Sequence, residues 1–412
     1  MTGEAVPAVH LIGALDTKSE EYGFVRDRLL AAGVSVVLVD TGVLDAARVA
    51  ADIDRSDVAA AAGRTIEELR TAADRGAAID AMAEGAARVI SDRDARGLVS
   101  GVLVLGGSNA GFVMSRVAAA LPFGRPKLLV STIVAGDTRP YVGTSDLMMM
   151  YPVVDIAGLN SISIPVLARA ADALIGIVHG DEIPARAASG PSVACTMFGV
   201  TTACVSAVQA DLVAQGDEVQ VFHATGTGGR TMEALITAGA FDAVADVTTT
   251  ELADQLVGGV CSAGPDRLEA AGRAGVPQVV SVGALDMANF GPLDSVPARF
   301  ADRQLIAHNP SVTLMRTNVE ENRELGVILA QKLNRATGFV EVHVPARGFS
   351  QISVEGGPFH LPEADRALIE ALREHLSPSI PLQIHDLAIN DPGFAAEIIN
   401  ALDRALSSKK GM

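Results

Sequence analysis

Residues 219–258 read VQVFHATGTGGRTMEALITAGAFDAVADVTTTELADQLVG. A β-branched and aromatic run, Val219 to His223, breaks into Thr225-Gly226-Thr227-Gly228-Gly229 and resumes with helical spacing from Arg230 to Ala238. The spacing predicts a strand, a glycine turn and a helix. Glycine at such a turn permits positive φ and close approach of another group, while the first amides of the helix are unpaired and carry the positive end of its dipole. An anion such as a phosphate suits the turn. So does a purely structural role, because the run lacks the Walker lysine and the third glycine of the dinucleotide fingerprint.

The same grammar extends in both directions. Val9 to Ala14 reads as a strand, Thr17-Lys18-Ser19-Glu20 as a capping box for a helix to Ala32, and Val34 to Val39 as a second strand. Thr65-Ile66-Glu67-Glu68 is expected to cap a helix reaching Ile90. Val102 to Leu105 then leads into Gly106-Gly107-Ser108-Asn109-Ala110-Gly111, a helix to Leu121 and a fourth strand from Lys127 to Thr132. The apolar run Leu147 to Val154 reads as core or subunit interface. Gly180 to Pro191 mixes Gly, Pro, Ser and charges, so the expected subdomains are 1–185 and 191–412.

The second half repeats the first. AAG at Ala31 to Gly33 matches AQG at Ala214 to Gly216, PKLLVS at Pro126 to Ser131 matches PQVVS at Pro277 to Ser281, and Asp146-Leu147-Met148 matches Asp286-Met287. Repeated elements in one order point to a duplicated α/β unit. Thr317-Asn318-Val319-Glu320 then reads as a capping box, followed by strands at Phe339 to Val344 and Pro381 to Ile384 and a last helix after Asn390-Asp391-Pro392. The expected fold class is α/β, with two Rossmann-like subdomains, each a mostly parallel sheet covered by helices on both faces. Ligands in such sheets bind at the carboxyl ends of the strands.

Composition narrows the function. The 412 residues are 49% hydrophobic but only 4% aromatic, with 40 glycines and no tryptophan, which suits aliphatic parallel sheets. A formal net charge of −17 repels polyphosphate backbones and argues against nucleic acid. Cys195, Cys204 and Cys261 have neither metal nor disulfide spacing, as expected in a reducing cytoplasm. The first residues do not read as a signal peptide. Ile162 to Val178 carries Arg169 and Asp172 and reads as a buried helix rather than a membrane span.

Three loops are candidates for one ligand site: Gly106, Gly107 and Ser108; Thr225, Gly226, Thr227, Gly228, Gly229 and Arg230; and Thr248, Thr249, Thr250 and Glu251. The last also reads as a capping box, Thr248 over Glu251. Arg230 could neutralise a phosphate or pair with Glu233. Asp16, Asp146 and Asp286 each follow a strand, where one carboxylate could hold Mg²⁺ or simply shape a turn. Catalytic candidates are His223, Cys204 and Asp286. Cys204 sits near a helix start that would lower a thiol pKa, against the commoner reading of a buried structural cysteine. His223 is placed either for acid–base work or for a structural hydrogen bond. HExxH, GxSxG and CxxC are absent.

A set of longer blocks runs in order over nearly the whole chain: VHLIGALDTK, VLVLGGS, VSTIVAGDTRPYVGTSDL, VVDIAGLNSIS, MFGVTTACV, VFHATGTGGRTMEALI, DVTTTELADQLVGGV, SVGALDMANFGP and VTLMRTN. Together they resemble the family of the tomato mosaic virus resistance protein, specifically its N-terminal ATP-binding region. The resemblance implies two Rossmann-like subdomains, ATP binding and self-association; Mg²⁺ could accompany the nucleotide. In the plant protein a TIM-barrel domain follows this region, so a separately encoded TIM-barrel partner in small-acid catabolism is one alternative function; a non-catalytic interaction module is another. Where the family has GGSGG this chain has Gly106-Gly107-Ser108-Asn109-Ala110, and alanine resists left-handed φ. The phosphates are therefore expected at Thr225 to Arg230.

Overall fold

The strand Val99–Gly106, VSGVLVLG, is buried on both faces over nearly its whole length, as the central strand of a parallel sheet must be. Val102 and Val104 face one layer of helices, and Leu103 and Leu105 face the other. The computed structural model describes residues 6–72, 74–180 and 189–409. They divide into two units, Met1–Pro184 and Ala185–Met412. Most of the linker expected at 180–191 lies outside the described residues.

Unit 1 runs β1 (Ala8–Gly13), α1 (Leu15–Ala31), β2 (Val36–Asp40), α2 (Arg55–Ala61), α3 (Ile66–Thr71), α4 (Arg75–Ala95), β3 (Val99–Gly106), α5 (Ser108–Ala119), β4 (Lys127–Ser131), α6 (Arg139–Val142), β5 (Met148–Met150) and α7 (Ser163–His179). Its sheet has the order β2-β1-β3-β4-β5, all parallel. Helices α2, α4 and α5 cover one face, α1 and α7 the other.

Unit 2 runs β6 (Ser192–Met197), α8 (Thr202–Gln215), β7 (Glu218–His223), α9 (Thr227–Thr237), β8 (Ala243–Thr248), α10 (Glu251–Val257), α11 (Ala270–Ala274), β9 (Gln278–Gly283), β10 (Met287–Phe290), β11 (Leu305–Asn309), β12 (Val312–Arg316), α12 (Val319–Leu333), β13 (Val340–Pro345), α13 (Pro362–His375), β14 (Leu382–His385) and α14 (Pro392–Lys409). The main sheet, β14-β13-β9-β8-β6-β7, is parallel throughout. Helices α10, α12 and α13 pack on one face, α8 and α14 on the other. A small antiparallel sheet, β10-β12-β11, sits beside it. It breaks the strict strand and helix alternation read from the sequence.

Counted by appearance, the strands of both sheets fall in the order 2-1-3-4-5, with a sixth added in unit 2. Both units are thus doubly wound, and in each the chain reverses direction between its first and third strands. That switch point lies between β1 and β3 in unit 1 and between β6 and β8 in unit 2.

Several helix starts differ from the reading of the sequence. The box Thr65 to Glu68 is present, but its helix stops at Thr71 and Asp74 caps a second one, α4. Helix α1 begins at Leu15, ahead of the expected Thr17 cap, because Asp40 Oδ1 on β2 accepts from Leu15 N at 3.0 Å. The box expected at Thr317 is formed one residue later, by Asn318 and Glu321. The run expected as a buried helix from Ile162 to Val178 is taken up by α7, Ser163–His179, with one face buried and with Ile164 and Ile177 exposed. Among the described residues no helix is long and apolar enough to cross a membrane.

Candidate functional site

In the loop after β7, Gly226 has φ +90 and its missing Cβ would lie 2.7 Å from Ser262 O, so only glycine fits. Helix α9 starts at the next residue. Its cradle already holds an anion from the same chain. Glu251 Oε1 accepts from Gly226 N at 2.6 Å and from Gly229 N at 3.1 Å. A Cβ on Gly229 would come within 2.0 Å of Glu251 Oε2, and one on Gly228 within 1.9 Å of His223 O. The glycine run is therefore required by the chain's own packing, without any ligand.

The Glu251 side chain is fully buried, and burial raises its pKa against the pull of Arg267. Arg267 Nε donates to Glu251 Oε2 at 2.6 Å, Nη2 to Asp246 Oδ1 at 2.6 Å, and Nη1 to Glu233 Oε1 at 3.3 Å. Glu233 also accepts from Leu268 N and Ala270 N. One buried guanidinium thus ties α9, β8 and α10 together. Arg230 does not pair with Glu233; it reaches Ser262 O and Thr227 Oγ1 at 3.3 and 3.4 Å.

The switch point of unit 2 is filled. Thr248 Oγ1 meets Thr201 Oγ1 at 2.8 Å, Thr249 Oγ1 donates to Ser281 O at 3.0 Å, and Thr250 Oγ1 donates to Met287 O at 3.2 Å. All three threonines are fully buried. The expected Thr248 to Glu251 box is not formed: α10 follows Thr250, and the Glu251 carboxylate turns to the glycine loop instead.

The switch point of unit 1 is different. Gly106 has φ +145, and a Cβ there would meet Ala110 Cβ at 2.9 Å. Gly107 precedes α5, among the described residues no side chain accepts from the first amides of that helix, and Ser108 and Asn109 are exposed. Asn109 and Ala110 lie inside the first turn of α5, so the left-handed φ held against alanine is not required there. Ser131 Oγ, at the end of β4, donates to Gly107 O at 3.1 Å and fixes the turn. The neighbouring β1 turn is closed by Asp40, whose Oδ1 accepts from Leu15 N and Gly42 N.

The catalytic candidates do not converge. Cys204 is buried in the core under α8, and burial pushes its thiol up to about 12, opposite to the lowering expected at a helix start. His223 is exposed, its ring tilted against Phe198 at 5.6 Å. Asp286 is fully buried, accepts from Ser350 Oγ at 2.7 Å, and is raised to about 6 by burial. Asp146 is committed to the buried Lys127 and to Gly124 N, and Asp16 Oδ2 accepts from Leu44 N. Among the described residues no group of three His, Cys, Asp or Glu side chains could hold a metal ion.

The sequence reading missed Arg267, Asp246 and Asp40. Asp246 had a signal: a carboxylate in the middle of AVADVT, a strand whose apolar neighbours demand burial, needs a buried cation. Nothing local marked Arg267 as that cation.

Comparison with known proteins agrees with this division. Residues 7–182 match the N-terminal domain, and residues 190–406 the C-terminal domain, of an uncharacterised protein family, UPF0261. A UPF0261 protein of Clostridium tetani is 44% identical over 400 residues, covering 96% of this chain and 98% of that protein. The tomato mosaic virus resistance protein Tm-1 of Solanum lycopersicum is 39% identical over 417 residues, covering 96% of this chain but 55% of the plant protein. With both halves matched in order and relatives aligned over nearly its whole length, the chain belongs to the UPF0261 family.

Proposed function

We propose that the protein binds a nucleotide, ATP in the first instance, through its phosphates at the carboxyl end of the unit 1 sheet, over Gly106, Gly107 and Ser108. One observation carries this reading. At the start of α5, a topological switch point, no side chain among the described residues accepts from the first helical amides, whereas the β1 turn is closed by Asp40 and the α9 turn by Glu251. Backbone amides at an open helix start favour a phosphate, and Mg²⁺ enters only as the nucleotide's counter-ion. Thr225 to Arg230, the stretch first expected to hold the phosphates, is set aside because a carboxylate already takes its amides. The reading stops at binding and assigns no reaction. It includes a homo-oligomer, supported by the exposed apolar side chains Met148, Tyr151, Val153, Ile162 and Ile164 of unit 1.

Calorimetric titration with ATP, with and without Mg²⁺, tests it. Amides with few cations should give a micromolar dissociation constant, on the order of −8 kcal/mol. Ser108→Asp places a carboxylate where the phosphates would lie, while an acidic residue in the first turn suits the helix dipole and leaves the fold intact. Affinity should fall at least tenfold with an unchanged melting temperature. No heat at millimolar ATP, or full affinity in Ser108→Asp, would overturn the assignment.

A further inference from the structure

On β13, VEVHVP, the valines Val340, Val342 and Val344 pack into the core that α12 and α13 share, so Glu341 and His343 point to the opposite layer, toward α14. Both are buried. A carboxylate and an imidazole inside a sheet must be paired. Arg404 on α14 supplies the first partner: its Nη2 donates to Glu341 Oε1 at 2.6 Å and its Nε to Oε2 at 3.2 Å. Burial raises the Glu341 pKa, but Arg404 and His343 together outweigh it, and the group stays an anion.

His343 joins that anion to a second imidazole. Its Nε2 lies 3.1 Å from Glu341 Oε1, and its Nδ1 lies 3.0 Å from Nε2 of His385, the last residue of β14. The two rings are nearly parallel, 8° apart, with centroids at 5.1 Å. The proton positions follow one from another. A carboxylate only accepts, so His343 Nε2 carries a hydrogen. Burial, above all, lowers His343 to about 4, so the ring is neutral and its Nδ1 is bare. His385 Nε2 must then donate, which leaves the lone pair of a neutral His385 on Nδ1. Among the described residues no side chain or amide meets that nitrogen. His385 is half-buried, with Phe394 edge-on at 5.6 Å and the exposed Arg347–Asp386 pair beside it. It stands at the carboxyl end of the unit 2 sheet, where α/β proteins place their ligands.

We propose that Glu341, His343 and His385 form an acid–base site, in which His385 Nδ1 takes a proton from the hydroxyl of a substrate or of water. In that step the O–H bond breaks, an N–H bond forms at Nδ1, and the electron pair stays on the oxygen. The positive charge gained by His385 faces the Glu341 carboxylate through the His343 ring. His385 is the catalytic residue, and His343 and Glu341 position it. The site is separate from the nucleotide loop of unit 1 and does not depend on it.

Diethyl pyrocarbonate, an electrophile that attacks a bare imidazole nitrogen, reads the relay directly. Followed by peptide mass, modification should reach His385 severalfold faster than the exposed His179 and His308. Because acylation puts positive charge on the ring, Glu341→Gln should slow His385, whereas Arg404→Gln, which frees the carboxylate from a half-exposed partner, should quicken it. Loosening of the fold would speed both, so opposite signs separate the relay from damage. The base role has its own arm: the wild type should hydrolyse p-nitrophenyl acetate severalfold faster than His385→Gln, and more slowly in heavy water than in light. Equal modification of the three histidines, or two variants that move in the same direction, overturns the relay. A His385→Gln protein as active as wild type, or the same rate in both waters, overturns His385 as a base.

Discussion

Glu251 and Arg267 together show how a buried carboxylate can stand in for a ligand. Arg267 faces three carboxylates, and each of these also accepts from protein donors: Glu251 from two glycine amides, Glu233 from the turn at 268–270, Asp246 from Thr196 Oγ1. Removing the cation leaves Asp246 and Glu251 buried and uncompensated, which typically costs about 3–5 kcal/mol. Arg267→Met should therefore lower the melting temperature sharply. A variant as stable as wild type would overturn the reading of Arg267 as the cation that compensates these buried carboxylates.

His10 supplies a signed pH dependence at the same scale. Arg93 Nε donates to its Nε2 at 2.6 Å and its Nδ1 lies 3.0 Å from Ala8 O, so the neutral ring with the proton on Nδ1 is the form that fits. Burial, with Arg93 adding to it, lowers its pKa to about 4. The unfolded chain binds this proton near 6.5 and the folded chain does not, so the stabilisation is whole above pH 6.5 and is lost as pH falls toward 4. Its size is on the order of 3 kcal/mol. Because Asp286, raised to about 6, works in the opposite direction over part of that window, the clean measurement is a difference. His10→Gln should be less stable than wild type at pH 7.5, and the gap should shrink steadily toward pH 4.

At the scale of elements, glycines in similar sequence surroundings do opposite work. Gly107 has open space where a Cβ would go, its nearest contact being Thr132 Oγ1 at 3.9 Å. Gly107→Ala should therefore keep its melting temperature and lose ATP affinity, by about fivefold or more. Gly228→Ala should lose stability with no ligand present, since its Cβ would collide with His223 O. The reverse pattern would return the phosphates to the second loop. Strand and helix periodicity made most main-sheet elements legible, because it depends on neighbours in sequence, but β5, in a run expected as core or interface, and β8 were not read as strands. The occupant of the glycine loop was not legible, since Glu251 reaches it across 25 residues and Arg267 secures it from a loop with no periodic signal. β11 was missed for a related reason: its last three residues, Ala307, His308 and Asn309, are all exposed, so no alternation marks it, and its pairing to β12 supplies what its composition lacks.

For the whole molecule, two sheets of the same strand order carry one open switch point and one sealed by hydroxyls and carbonyls. A single ATP per chain is expected, and a titration that saturates at two would mean the threonines of unit 2 can be displaced. The internal carboxylate has a further consequence in calorimetric scanning. Ligand in solution stabilises only what it binds, by about 2.7 kcal/mol at a hundredfold excess over the dissociation constant, whereas Glu251 is covalently present at every concentration. Unit 2 should therefore melt at a temperature indifferent to added nucleotide, while unit 1 climbs with it. The separation between two heat-absorption peaks in one trace becomes a readout of occupancy, with unit 2 as the built-in thermometer.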